Sequence, residues 1–443
     1  MKCLSITELK RAESKFLINK TKFFLAASLL FSASVVHANI AHANSPNFLL
    51  IIADDLGVDA LGSYNVSNNT ANTPNLDKLA KSGLSFENFW VTPACTTTRA
   101  ALISGQHGYS STVEYVPAVM PSNTKTLQQR LKQEDLPEKY ATGIFGKWHL
   151  GGGRPDLNHP SQFGVDTYGG NLFNLEDYND WTLTQNGQQS NEKGYHTSVV
   201  TDLAIDFIQA NQASPWFAWV AYSAPHSPFH EPPANLISSS TPTRSPTDKY
   251  QAMIEAMDTE IGRLIDAVPK EDQDNTYIVF IGDNGTPRRV RDKQVFDKDH
   301  VKGTLYEGGI RTPLIVSGAG VTRQGERDGS LVNATDVFAT FTSLALANEA
   351  PINVPSSSIS FAQRLTNAEA QPSREYNYSE WRTRKTDISW TVRNADYKVI
   401  QHHDGKTELF ASNDINEITP LKDASLEASL LSIGEAIRAG EFY

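Results

Sequence analysis

The chain predicts an α/β protein: a large, mostly parallel sheet flanked by helices, followed by a small antiparallel subdomain with a terminal helix. Three observations predict it. Five short apolar runs recur between residues 47 and 316 without the alternation of a half-exposed strand, as strands covered on both faces require. Helical periodicity fills the gaps between them, which implies crossovers and parallel pairing. From about Arg374 the apolar runs become short and closely spaced, as in an antiparallel meander.

Residues 1–43 read as a secretory leader. Lys15, Lys20 and Lys22 precede an apolar run from Phe23 to Val36, and Ala41-His42-Ala43 offers a small-residue cleavage site, with Val36-His37-Ala38 as an alternative. The run is too short to cross a bilayer comfortably, so the expectation is a periplasmic or secreted protein without stable membrane insertion. Cleavage would leave 33 basic and 48 acidic residues, a net charge of −15. That balance argues against nucleic acid as a partner. It also leaves Cys95 as the one cysteine, because Cys3 lies in the leader, so no internal disulfide can form in the oxidising compartment.

The first strand is Asn47 to Ile52, ending in Ala53-Asp54-Asp55. Leu76, Leu79 and Ala80 suggest a helix. Thr96, Thr97 and Thr98 are good cap residues ahead of a helical turn at Arg99-Ala100-Ala101-Leu102. Residue 95 would then stand near a helix N-terminus, which favours anions. Arg99, four residues on, would share its face. The second strand, Ala141 to Phe145, leads into Gly146-Lys147-Trp148-His149, where alternation would send Lys147 and His149 to one side. The third, Trp216 to Tyr222, leads into Ala224-Pro225-His226. Met253, Ile254, Met257, Ile261, Leu264 and Ile265 keep helical spacing. Tyr277 to Ile281 leads into Gly282-Asp283-Asn284-Gly285, and Pro313 to Val316 is the fifth run. Pro351 to Ser360 reads as a loop. Tyr376–Trp381, Ile388–Arg393, Tyr397–Gln401 and Glu408–Phe410 read as short strands before a helix from Ala424 to Ala439. The expected organisation is a leader over 1–43, a main α/β domain over 44–370 and the antiparallel subdomain over 371–443.

Four of the five runs end in polar or ionisable residues, and parallel sheets bind ligands beyond the carboxyl ends of their strands. Asp54, Asp55, Asp283 and Asn284 form two pairs of hard oxygen donors, suited to Ca²⁺ or Mg²⁺ over a soft metal. Lys147, His149, His226 and Lys302 add cations and proton carriers. Lys302 opens Lys302-Gly303-Thr304-Leu305-Tyr306-Glu307-Gly308-Gly309.

Taken in order, these motifs and Thr92-Pro93-Ala94-Cys95-Thr96-Thr97-Thr98-Arg99 resemble the sulfatase family from Asn47 to about Val316, and the strand-rich C-terminus is similar to that family's small subdomain. The resemblance implies an alkaline-phosphatase-like fold whose main domain is catalytic. It implies that Cys95 is oxidised to formylglycine (3-oxoalanine) by a formylglycine-generating maturation enzyme. The family usually has proline two residues after that cysteine, where this chain has Thr97.

Carried over residue by residue, Asp54, Asp55, Asp283 and Asn284 would hold Ca²⁺, with residue 95 in the same coordination group. Arg99 would steady the hydrated aldehyde, Lys147 and Lys302 would grip sulfate, and His149 and His226 would move protons. The implied reaction is hydrolysis of a sulfate monoester, with a sulfated saccharide or polysaccharide fragment as the expected substrate of an exported enzyme. Substrate contacts are expected from His107, His230, Arg288 and His300, with their neighbours Tyr109, Glu231, Arg289 and Asp299. Two other readings fit the same residues: a phosphate or phosphonate ester hydrolase on the same scaffold, and a non-catalytic binder of sulfated glycans. The phosphatase relatives gather two metals through several histidines, and a lapsed enzyme has no reason to retain both proton-transfer groups.

Overall fold

Ten strands form one sheet in the order β10-β2-β9-β8-β1-β7-β3-β4-β5-β6. The computed structural model describes residues 45–347, 353–383 and 386–442. The expected leader lies outside the described residues, as do Pro351 and Ile352 of the expected loop. The strands are β1 (Asn47–Ala53), β2 (Gly83–Trp90), β3 (Ala141–Gly146), β4 (Thr167–Gly170), β5 (Trp181–Gln185), β6 (Gln188–Glu192), β7 (Trp216–Tyr222), β8 (Thr276–Gly282), β9 (Leu314–Gly318) and β10 (Glu326–Asn333). Strands β8, β1, β7, β3 and β4 pair in parallel, as do β2 and β10.

Every residue of β1 and β7 is buried. Along β1, Phe48, Leu50 and Ile52 enter the apolar cluster on one face of the sheet, while Leu49, Ile51 and Ala53 enter the cluster on the other. Two-sided burial is why these strands read as unbroken apolar runs. The fifth run departs from the expectation: β9 is antiparallel to both of its neighbours, β8 and β2. Burial on both faces writes the same apolar run in either direction, so the pattern carries no sign of strand polarity.

The longer helices are α1 (Pro74–Ser82), α2 (Cys95–Ser104), α3 (His196–Ala210), α4 (Pro246–Asp266), α5 (Asp336–Ala345) and α6 (Ala424–Ala439). Helix α4 begins on a capping box, in which Ser245 accepts from the Asp248 amide and Asp248 accepts from the Ser245 amide. Helix α2 starts four residues earlier than its threonines suggest. Ala94 is the flanking residue, and Thr96 to Thr98 lie inside the first turn. The threonines do not cap the helix but tie it to the preceding loop: Thr98 Oγ1 accepts from the Thr92 amide at 3.1 Å, and Thr97 Oγ1 donates to the Ala94 carbonyl at 3.0 Å.

A second sheet, β11 (Asn377–Arg382), β12 (Ile388–Arg393), β13 (Tyr397–Gln401) and β14 (Thr407–Ala411), is an antiparallel meander. Leu430 and Ile437 of α6 join its apolar cluster with Trp390, Val392, Val399 and Leu409. Asn377 and Ser379 donate to the carbonyls of Val332 and Val91, which ties this sheet to the larger one.

One glycine governs the approach to the candidate site. Gly146 closes β3 at φ +95°, and a Cβ there would sit 2.0 Å from the Ala221 carbonyl oxygen of the neighbouring strand. Gly146→Ala is therefore expected to cost about 2–4 kcal/mol through backbone strain and overpacking. Thermal denaturation checks this, and an unchanged melting temperature would refute it.

Candidate active site

The chemistry collects where four adjacent parallel strands end. Strand β1 delivers Asp54 and Asp55, β3 delivers Lys147, β7 leads to His226, and β8 delivers Asp283 and Asn284. The pairing continues past the strands and fixes these positions. The Asp283 amide donates to Ala53 O at 3.0 Å, that of Asp54 to Ala224 O at 3.1 Å, and that of Lys147 to Ala221 O at 2.9 Å. Two residues here adopt left-handed backbone that side chains rarely take, Asp55 at φ 73° and His149 at φ 59°. Such strain persists only where the surroundings hold it, and it gathers at functional sites.

Cys95 opens α2, with its side chain turned into this cluster. Its Sγ lies 3.2 Å from His149 Nδ1 and 3.5 Å from Lys147 Nζ. Lys147 and His149 thus meet at one atom, by way of a turn at His149 and not by strand alternation. Arg99 does not hydrogen-bond to Cys95. Its fully buried guanidinium donates to Asp283 Oδ2 at 2.8 and 3.1 Å and to the Lys147 carbonyl at 2.6 Å, with Asp54 at 3.7 Å. Lys147 pairs with Asp54, and Lys302 pairs with Asp55. The Lys302 loop is pinned on both sides, by Lys302 N to Thr286 O at 3.2 Å and Gly303 N to Pro93 O at 2.9 Å. His226 Nδ1 donates to the Ser227 carbonyl at 2.7 Å, which leaves Nε2 facing Asp55 at 3.9 Å.

Burial and charge set the protonation states. Burial alone would push the Asp54 carboxyl up, but Lys147, His226, Arg99 and Lys302 hold it well below the ordinary range. Asp283 is pushed up to about 6, by burial and then by the Asp54 charge, against Arg99 and Lys147. Burial also raises the Cys95 thiol. His149 is driven far down by burial, then by Lys147 and Arg99, so its ring is neutral.

The donor set fits a hard cation. Asp54, Cys95 and Asp283 present ligand atoms within 4.8 Å of one another, and so do Asp54, Asp55 and His226. Asp54 Oδ1 and Asn284 Oδ1 are buried with no hydrogen-bond partner among the described residues, a costly arrangement unless something else binds them. Carboxylate and amide oxygens without a required soft ligand suit Ca²⁺ or Mg²⁺.

A cleft of about 730 Å³ opens from this cluster, lined by Asp55, His226 and Lys302 at the site and by Phe229, Arg244, Lys249, Pro287 and Arg289 beyond it. Of the residues expected to touch substrate, Arg289 lines it, whereas His107, His230, Arg288 and His300 do not. His107 is buried, its ring against Tyr109 and Tyr378. His230 packs on Tyr178 and contacts the Tyr195 hydroxyl at 3.2 Å. Arg288 pairs with Asp299 at 3.4 Å. His300 stacks on Tyr306 with centroids 3.6 Å apart. Phe229, next to His230, lines the cleft without having been expected. Sequence reasoning missed Arg244 and Lys249, which sit on the approach to α4 and in its first turn and carry no motif.

The family model described as Sulfatase matches residues 46–347. Arylsulfatase J of Mus musculus is 29% identical over 330 residues, covering 70% of this chain and 54% of that protein. N-acetylgalactosamine-6-sulfatase of Homo sapiens is 29% identical over 341 residues, covering 69% and 63%. The chain thus spans 54% to 63% of the length of these relatives. Among solved structures, Ps i-CgsB superposes with a TM-score of 0.75 at 26% identity, over 89% of this chain and 93% of that one. The same protein in complex with k-i-k-neocarrahexaose gives 0.74 at equal identity and coverage.

Proposed function

The chain belongs to the sulfatase family, and from that membership we propose that it hydrolyses sulfate monoesters of saccharides, with Cys95 matured to formylglycine. One observation carries the reading: the Cys95 side chain opens a helix directly against His149 and Lys147, within a cluster of buried carboxylates. The oligosaccharide bound by the structural relative supports a saccharide as substrate.

The hydrated aldehyde would supply two geminal hydroxyls, one to attack sulfur and a second whose deprotonation allows sulfate to leave. Ca²⁺, with Mg²⁺ as the alternative, would be held by Asp54, Asp55, Asp283 and Asn284 alongside residue 95, and would add positive charge opposite the non-bridging sulfate oxygens. Lys147 and Lys302 carry the same task from the protein side, since a sulfate ester yields to a nucleophile only when its negative oxygens are neutralised. Asp283, whose carboxylate shares the cluster with residue 95, accepts the proton of the attacking hydroxyl. Arg99 holds that carboxylate in place through paired donors. His149, neutral and 3.2 Å from residue 95, accepts the second proton. His226 protonates the leaving oxygen from Nε2, with Nδ1 anchored on the Ser227 carbonyl.

The maturation enzyme is the implied partner, and Thr97 meets it where proline is usual. Residue 97 is in the first turn of α2, whose amides have no intrahelical acceptor, so proline would lose no helical bond there. Threonine instead adds a side-chain tie to Thr92 at 2.5 Å.

Co-expression with a formylglycine-generating enzyme, peptide mass spectrometry of residue 95 and a comparison of p-nitrophenyl sulfate with p-nitrophenyl phosphate test the reading. An aldehyde at residue 95 and a preference for sulfate support it. A preference for phosphate would favour the ester-hydrolase alternative. His226→Ala is expected to lower kcat/KM on a sugar sulfate about 10²–10³-fold, and markedly less on p-nitrophenyl sulfate, whose leaving group needs little protonation. Equal losses on both substrates would remove His226 from the acid role.

A further inference from the structure

The cleft in front of the site is lined by more positive charge than one sulfate needs. Arg244, Lys249 and Arg289 line it together with His226 and Lys302. Within the described residues, none of the three makes an ion pair or a side-chain hydrogen bond. Neighbouring cations behave otherwise: Arg288 pairs with Asp299, and Lys302 with Asp55. The nearby acidic groups are already engaged. Asp248 accepts from the Ser245 amide at 2.9 Å and feels the Arg244 charge without forming an ion pair with it, and Asp55 is paired with Lys302. Acidic residues outnumber basic ones by 50 to 39 over the whole chain. Three cations without an ion pair in one cleft are therefore a local feature, not a consequence of composition.

Resting on the sulfatase reading, we infer that this cleft binds a second anionic group of the substrate, a sulfate or carboxylate other than the one that reacts, through Arg244, Lys249 and Arg289. His226 and Lys302 stand at the inner end, so the alcohol portion of the ester lies in the cleft as it leaves. An anion carried on that portion meets the three cations, whereas a neutral sugar leaves them solvated. The substrate class is then a saccharide bearing at least two negative charges, the second being sulfate or uronate. Arginine suits this role because its planar fork matches both carboxylate and sulfate oxygens.

The test is calorimetric titration of the full chain carrying Cys95→Ala, which binds without turnover. The probes are alkyl sulfates from propyl to hexyl, the matching α,ω-bis-sulfates and the matching ω-sulfooxy carboxylates. At one chain length a dianion is expected to bind about tenfold or more tighter than its monosulfate, with each cation contributing about two- to fivefold. The preference shrinks as salt is raised. Combining Arg244→Gln, Lys249→Gln and Arg289→Gln should bring the dianion-to-monosulfate ratio close to unity. Whether bis-sulfate or sulfooxy carboxylate wins identifies the second anion. Equal affinities at every length, no measurable binding of any dianion, or a ratio that survives the triple substitution would overturn the inference. Failure of the sulfatase reading shows separately, as absence of p-nitrophenyl sulfate turnover in protein whose residue 95 is an aldehyde.

Discussion

Replacing Cys95 with alanine is expected to abolish sulfate ester hydrolysis, by at least about 10⁴-fold in kcat, while the protein stays folded. The size of the loss follows from the chemistry. Alanine lacks the thiol that maturation would expel as Cβ is oxidised to the aldehyde, so no attacking group would form, and charge neutralisation and binding alone retain only a small residue of the rate. The fold is spared because Cys95 occupies the first position of α2 and makes no backbone contact through its side chain. Loss of one buried sulfur costs about 1 kcal/mol. The measurement is a steady-state rate on p-nitrophenyl sulfate beside a thermal melt. Full activity in the alanine variant would sink the covalent reading, and a collapsed melt would shift the effect from chemistry to folding.

Arg99→Met is expected to lower stability more than any other single change at the site, and calcium should recover part of the loss. Arg99 is fully buried and spans Asp283, Asp54 and the Lys147 carbonyl. Methionine matches its length but leaves two buried carboxylates short of a countercharge, an imbalance that costs about 3–5 kcal/mol. For a chain of this size the melting temperature should fall on the order of 5 °C. A divalent cation held by the same carboxylates would supply the missing charge, and a ligand at a hundred times its dissociation constant stabilises by about 2.7 kcal/mol. Melts of wild type and variant, with and without calcium, check both parts. If calcium leaves both melting temperatures unmoved, the carboxylate cluster is not a cation site.

Much of this was legible in order along the chain. Five apolar runs marked five strands of the large sheet, and Ala424–Ala439 coincides with α6. The short runs after Arg374 correspond to the meander. Strands β2, β4, β5, β6 and β10 were not expected. Gly83–Trp90 mixes polar and apolar residues, and Gln188–Glu192 is polar throughout, so neither carries a strong apolar signature. The cap reading at Thr96 to Thr98 failed because propensity describes a residue's average preference. Here the hydroxyls find Thr92 and Ala94 and let the helix begin at Cys95.

What the sequence by itself determined was local: which runs are buried on both faces, which residue types end them, and the order of motifs that marks the family. Those follow from short-range patterns, since a strand end and its polar tail are neighbours in the chain. Tertiary structure alone decided which side chains share a space. Arg99 reaches Asp283 across 184 residues, and Lys302 reaches Asp55 across 247. The polarity of β9 was set by its neighbours β8 and β2, because pairing direction leaves no trace in an apolar run. The cleft was decided in the same way. His300 was taken up by Tyr306 and His230 by Tyr178, while Arg244 and Lys249 line the same cleft as His226, where Tyr250 near the start of α4 packs against Phe229. Proximity among distant residues is a property of the packed core, and no window of sequence contains it.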